Sequence, residues 1–231
     1  MQDTAVYRAK CIRDNNWTIY QILQEFPRLM SKGMDFLILH GDASSKLFET
    51  WLPIYAEKIL YLSRREGKLI SSLDGLTQDA IGELSLRQLP SLLPPTAYKL
   101  GRGHSAIMVR HTTEECNLAF IHHKPPGTNM VEYLHEAKAT RPFPYVLTLG
   151  NETQHVSQAF VIIAGQAVEH DTLLQAVDAC FKAFFILDSE YPRHCEHVWK
   201  FLQTTVYEIP GGEWKLVKFL QSRIRASKRS K

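Results

Sequence analysis

Long apolar runs are missing from this 231-residue chain. None approaches the roughly 20 residues that a helix needs to cross a bilayer, so no membrane partner is expected. The first residues, Met1-Gln-Asp-Thr4, lack a basic segment leading into an apolar one, and no secretory leader is expected there. The chain is therefore expected inside the cell, in cytoplasm or nucleus. Cysteine is also scarce. Cys11, Cys116, Cys180 and Cys195 stand far apart, forming neither a disulfide framework nor a CxxC pair, and are read as buried free thiols. Gly101-Arg-Gly103 lacks the lysine and hydroxyl of a phosphate loop and is read as a hinge. Internal repeats and low-complexity blocks are absent. A hydrophobic content of 45% is ample for a packed core and excludes disorder throughout.

Acidic residues are missing from the last stretch. Seven of the 27 basic residues follow Trp214 with no acid among them, leaving 20 basic against 24 acidic residues, about −4, in the rest. The net charge of +3 thus hides a basic tail on a slightly acidic body. Within the tail, Trp214, Leu216, Val217, Phe219, Leu220 and Ile224 interleave with Lys215, Lys218, Arg223, Arg225, Lys228, Arg229 and Lys231. The pattern predicts a basic amphipathic helix whose apolar face docks on the body. Its seven cations are the candidate contacts for nucleic acid or an acidic partner.

The apolar segments concentrate between Phe143 and Ile209. Tyr145-Val-Leu-Thr-Leu149 follows two prolines and stops at Gly150-Asn151, which predicts a strand. Ala159 to Ala164, lying between the polar loop 152–158 and Gly165, predicts a second buried strand, and the spacer between the two permits an antiparallel hairpin. From Asp171, read as an N-cap, Leu173, Leu174, Val177, Cys180, Phe181, Phe184 and Phe185 recur at helical spacing. Another helical register opens at Pro192 and runs through Cys195, Val198, Trp199 and Leu202. Val206 to Ile209 is read as a closing extended segment.

Upstream, Asp14-Asn15-Asn16 is read as capping a helix near Trp17, with Pro27 restarting it. Leu47, Phe48, Trp51, Tyr55, Ile59 and Leu62 predict one amphipathic helix ending near Gly67. Leu84, Leu86, Leu89, Leu92 and Leu93 are broken by Pro90 and Pro94-Pro95, and predict a poorly regular connector that still buries its leucines. Ala106 to Val109 and Leu118 to Ile121 are read as a hairpin around the polar Thr112 to Asn117, and Asn129 to Ala139 as a helix. The expected fold is α+β, with a helical N-terminal part packed with a small C-terminal antiparallel or mixed sheet flanked by helices. Its parts are a helical stretch 1–66, a connector 67–103, an α+β core 104–213 and the tail 214–231.

Seven phrases also resemble a known family. They are Glu25-Phe-Pro-Arg-Leu29, Met34-Asp-Phe36, Lys46-Leu-Phe-Glu-Thr-Trp51, Leu89-Pro-Ser-Leu-Leu-Pro-Pro95, Pro144-Tyr-Val-Leu-Thr-Leu-Gly150, Phe181-Lys-Ala-Phe-Phe185 and Phe201-Leu-Gln-Thr-Thr-Val-Tyr207. In this order they resemble the region after the SAM domain in vertebrate sterile alpha motif domain-containing protein 3-like proteins, across most of residues 25–210. Phrases like the last two also occur in many animal proteins, some descended from mobile elements. The resemblance implies a shared fold. It carries over no reaction and no functional residue, and no SAM-like bundle is read before residue 17.

Candidate chemistry is thin. His194-Cys-Glu-His197 places two histidines three apart on a predicted helix, where both could face a metal. Zinc needs three or four ligands, and Cys180, His122 and His123 form no second close pair, so no metal or cofactor is expected. Cys195 cannot use His194 as a base, because adjacent helix residues point about 100° apart. A base would have to come from His104, His111, His135 or His155. Glu114-Glu115 is read as a solvated turn, and Phe181, Phe184, Phe185 and Trp199 as core. The expectation is a non-enzymatic macromolecular interaction module with a protein partner and no small-molecule substrate. The alternative is a nucleic-acid-associated protein of mobile-element descent that uses its tail.

Overall fold

The computed structural model describes residues 4–29, 34–101, 106–151 and 155–227. Along the chain come α1 (Ala5–Asn15), α2 (Ile19–Glu25), α3 (Met34–His40), a 3-10 turn (Gly41–Ser44) and α4 (Lys46–Thr50). A π-helical segment (Trp51–Ala56), α5 (Glu57–Arg65), α6 (Gln78–Leu92), β1 (Tyr98–Leu100), β2 (Ile107–Val109) and α7 (Thr113–Phe120) follow. Next are β3 (Ile121–Lys124), α8 (Met130–Thr140), β4 (Tyr145–Asn151), β5 (His155–Ile163), β6 (Gln166–His170) and α9 (Leu173–Ile186). The chain closes with α10 (Glu196–Phe201), a second π segment (Leu202–Val206) and α11 (Lys215–Ala226). The fold is α+β, with a two-stranded and a four-stranded sheet. It forms two compact units, residues 1–48 with 121–191, and residues 49–120 with 192–231.

The first unit holds the four-stranded sheet, ordered β3-β4-β5-β6. β3 runs parallel to β4 and the other pairs are antiparallel, so the sheet is mixed. β4 is buried from Tyr145 to Gly150, as its unbroken apolar run implies for a strand covered on both faces. Tyr133 and Ala137 of α8 pack on Tyr145, Leu147, Leu149, Phe160 and Ile162, and α9 packs against β4, β5 and β6. β6 is an addition to the expected topology. Its residues are mostly exposed and show no apolar alternation; it is set by the two-residue turn Ala164-Gly165, whose φ values of 51° and 76° suit a tight hairpin. α9 is capped by Thr172, whose hydroxyl accepts from Gln175 N at 3.1 Å, one residue beyond the expected Asp171.

α1 occupies a stretch whose mixed polarity predicted nothing, and it is tied to α3 by the buried pair Arg8–Asp35, with Nε–Oδ2 at 2.7 Å and Nη2–Oδ1 at 2.5 Å. The helix expected at Trp17 starts at Ile19, because Thr18 and Gln21 form a reciprocal capping box.

In the second unit the single helix expected over 47–62 is interrupted. Trp51, Tyr55 and Ile59 recur every four residues, whereas an α-helix turns in 3.6 and would rotate such a stripe off its face. The i→i+5 register of Trp51–Ala56 takes in more residues per turn, around the helix-breaking Pro53. The C-terminal π segment follows the same logic. Val198, Leu202 and Val206 are spaced by four and buried to 1% exposure or less; of the expected extended segment Val206–Ile209, Val206 is helical and the other three residues are in neither helix nor strand.

Two further expectations are corrected. The connector contains the 15-residue α6, capped by Thr77; Pro90 sits inside it without ending it, and Leu86, Leu89 and Leu92 are buried. Thr112 to Asn117 is not the turn of a hairpin, because Thr112 caps α7 and Leu118 lies within that helix. β2 pairs instead with β1, in the register Tyr98↔Val109, Lys99↔Met108 and Leu100↔Ile107. Of the expected hinge Gly101-Arg-Gly103, Gly101 directly follows β1 and residues 102–103 lie outside the described residues.

Candidate functional site

Three chain segments of the second unit converge at His111, Glu115 and His194. His111 follows β2 and precedes the cap of α7. Glu115 sits in the first turn of α7, where its Oε2 accepts from Thr112 N at 2.6 Å and Thr112 Oγ1 at 3.0 Å. Those bonds, led by the backbone one, hold its carboxyl below the usual glutamate range. Its other oxygen lies 3.7 Å from His111 Nδ1. The His111 and His194 rings lie 3.8 Å apart, tilted by 37°. One ligand atom from each of the three residues falls within 4.8 Å of the others.

Around them, the Tyr98 hydroxyl lies 3.3 Å from His111 Nε2, and the Arg193 guanidinium lies over the Tyr98 ring at 5.4 Å. The His111 side chain is 12% exposed and that of Glu115 48%, so the cluster has a shielded side and an open side. Two imidazoles and a carboxylate are the donor set of many three-residue metal sites.

The sequence pair His194 and His197 does not form this site. His194 lies in the turn ahead of α10, and His197 is buried against Trp214, with ring centroids 5.7 Å apart. Spacing along the chain offered a pair; the actual partners of His194 come from α7 and its approach. The signal available was the His-x3-Glu spacing of His111 and Glu115, which suits neighbours near a helix start.

Cys195, the candidate nucleophile, is 1% exposed. Cys116 is also buried, and burial pushes its thiol up to about 12. Phe181, Phe184 and Trp199 are core as expected.

The β1–β2 hairpin beside the cluster is apolar and open. Leu100 is 60% exposed, Ile107 67% and Met108 53%. Leu100 and Ile107 are cross-strand partners on one face, and each strand of this two-stranded sheet has one edge unpaired among the described residues.

The tail forms α11 as expected. Val217, Leu220 and Ile224 are buried, while Lys215, Lys218 and Arg225 are exposed and Arg223 is half-buried. Lys218 pairs with Glu213 at 2.5 Å, and Arg223 pairs with Glu66. Lys215 and Arg225 take no acidic partner among the described residues. Lys228, Arg229 and Lys231 lie outside those residues. No helix among the described residues is long and apolar enough to cross a membrane.

Compared with protein-family models, curated proteins and solved structures, the chain matches none.

Proposed function

We propose that this chain is a non-enzymatic interaction module acting inside the cell, and that its partner is a protein docking an extended segment on the β1–β2 hairpin. One observation carries the reading: the Leu100–Ile107 pair presents two aliphatic side chains to solvent, on strands that each leave one backbone edge unpaired among the described residues. An extended segment can pair with such an edge while its side chains cover the aliphatic face. An isolated two-stranded ribbon is marginal in water, so a third strand would also stabilise it. The resemblance to the region after the SAM domain in sterile alpha motif domain-containing protein 3-like proteins is compatible with this role, since it brings no catalytic residue.

A second reading has its own support. On α11, Lys215, Lys218, Phe219 and Arg225 are exposed opposite the buried face, a basic and aromatic surface that suits nucleic acid. Glu213 already pairs with Lys218, and Glu66 with the neighbouring half-buried Arg223, which ranks this reading second.

Capture from lysate separates the two. A Leu100→Ser/Ile107→Ser variant is expected to lose its protein partner, whereas a chain lacking residues 222–231 keeps it with and without nuclease. Binding that survives the hairpin substitutions but disappears with nuclease or with the deletion would favour the tail.

A further inference from the structure

We propose that His111, Glu115 and His194 bind one divalent transition-metal ion of the zinc class, which staples the base of the β1–β2 hairpin to α7 and to the turn before α10. The inference stands apart from the choice of partner, because it concerns an ion and not the exposed hairpin face.

The donor set fits in kind. Zinc takes imidazole nitrogen and carboxylate oxygen at about 2.0–2.2 Å, and three protein donors leave a fourth position for water. Tetrahedral donors at that radius lie about 3.4 Å apart. A separation within 4.8 Å therefore closes by side-chain rotation, above all of the half-exposed Glu115.

The surroundings fit as well. If His111 Nε2–H donates to the Tyr98 hydroxyl oxygen, Nδ1 keeps its lone pair on the side facing Glu115. A polar partner on the remote nitrogen fixes the tautomer and orientation of metal-binding histidines in this way. Glu115 can serve two tasks, because Oε2 closes the helix cap while Oε1 faces His111.

The ion would do mechanical work. His111 follows β2 by two residues and Tyr98 opens β1, so a bond at His111 ties both strands to the helical body. The hairpin would then be presented as a formed ribbon, with its amides protected.

The test uses the full chain without a polyhistidine tag, stripped with chelator and titrated with Zn²⁺ or with Co²⁺ as a spectroscopic probe. One ion per folded chain is expected, with visible Co²⁺ bands of a low-coordinate site. Zn²⁺ should shift the imidazole resonances of His111 and His194 and leave that of His135 in place. His111→Gln and His194→Ala should each weaken binding by tenfold or more, Tyr98→Phe by about tenfold, and His135→Ala not at all. Hydrogen exchange at residues 98–100 and 107–109 should slow on adding Zn²⁺. Absence of stoichiometric binding to the folded wild-type chain overturns the proposal. So does binding that shifts other histidines, or binding indifferent to His111 and His194; the wild-type resonances decide this even if a variant fails to fold.

Discussion

His122 shows how one side chain reports on the sheet it belongs to. It lies on edge strand β3, is 9% exposed, and its Nδ1 sits 2.7 Å from the Tyr133 hydroxyl of α8. Burial, helped by Arg141, Lys124 and His123, pushes its imidazole down to about 3. His40 and His170 are lowered in the same direction, chiefly by burial. A base lowered in the folded state binds its proton first in the unfolded chain, so acid favours unfolding. For His122 this stability is fully present above about pH 6.5 and is lost as the pH falls towards about 3. The melting temperature should fall across that window, and less steeply in His122→Asn, whose amide oxygen can still accept from Tyr133. Equal slopes in both proteins would show that His122 does not contribute. None of this was legible in the sequence, where ten histidines look alike until the fold decides which are buried and by whom they are faced.

At the scale of elements, periodicity was a good guide where one face is covered and a poor one where it shifts. α8, α9 and α11 follow directly from their apolar patterns and stops; β4 and β5 do so over their apolar centres, but β4 runs on through Gly150-Asn151, read as a stop, and β5 begins at His155, inside the expected loop 152–158. The π segments were legible only in part, since four-residue spacing marked the buried stripes but not the change of helical register. α6 was obscured by Pro90, which lies in its last turn and forgoes the i→i−4 bond there, yet the helix runs on to Leu92. The β1–β2 pair was missed because Leu118 has the apolar neighbours of a strand, and Thr112 with Glu115 carries a cap signal that outweighs them. The two π segments also meet: the Tyr55 hydroxyl donates to the Thr205 carbonyl at 2.8 Å, and its ring packs edge-on against Phe201. Gln221 of α11 adds a bond to Thr205 Oγ1 at 2.6 Å. Tyr55→Phe keeps the ring and strands the carbonyl, which should cost about 1–3 kcal/mol in denaturant unfolding and speed exchange within 202–206. An unchanged midpoint with unchanged exchange would mean that the contact does not hold these segments together.

At the scale of the whole molecule, each compact unit is assembled from two distant stretches of chain. Composition reveals only part of this, because of the three crossings those near 48–49 and 120–121 fall within or beside continuous elements, and only the one at Tyr191–Pro192 falls in a loop marked by a proline. The candidate cluster depends on it, since His194 joins His111 and Glu115 only when the C-terminal stretch returns to its unit. The charge asymmetry was plain from the sequence, yet Glu66 and Glu213 temper it in the fold. The proposed interaction rests on the apolar β1–β2 hairpin, where Leu100 and Ile107 are both exposed.

The measurement that bears most directly on that claim is photo-crosslinking in cells from a reactive residue placed at Ile107, compared with one placed at Lys215. The interaction reading predicts a discrete protein adduct from position 107, insensitive to nuclease and abolished by Leu100→Ser. A chain that forms no adduct there, while position 215 crosslinks to nucleic acid, would contradict it.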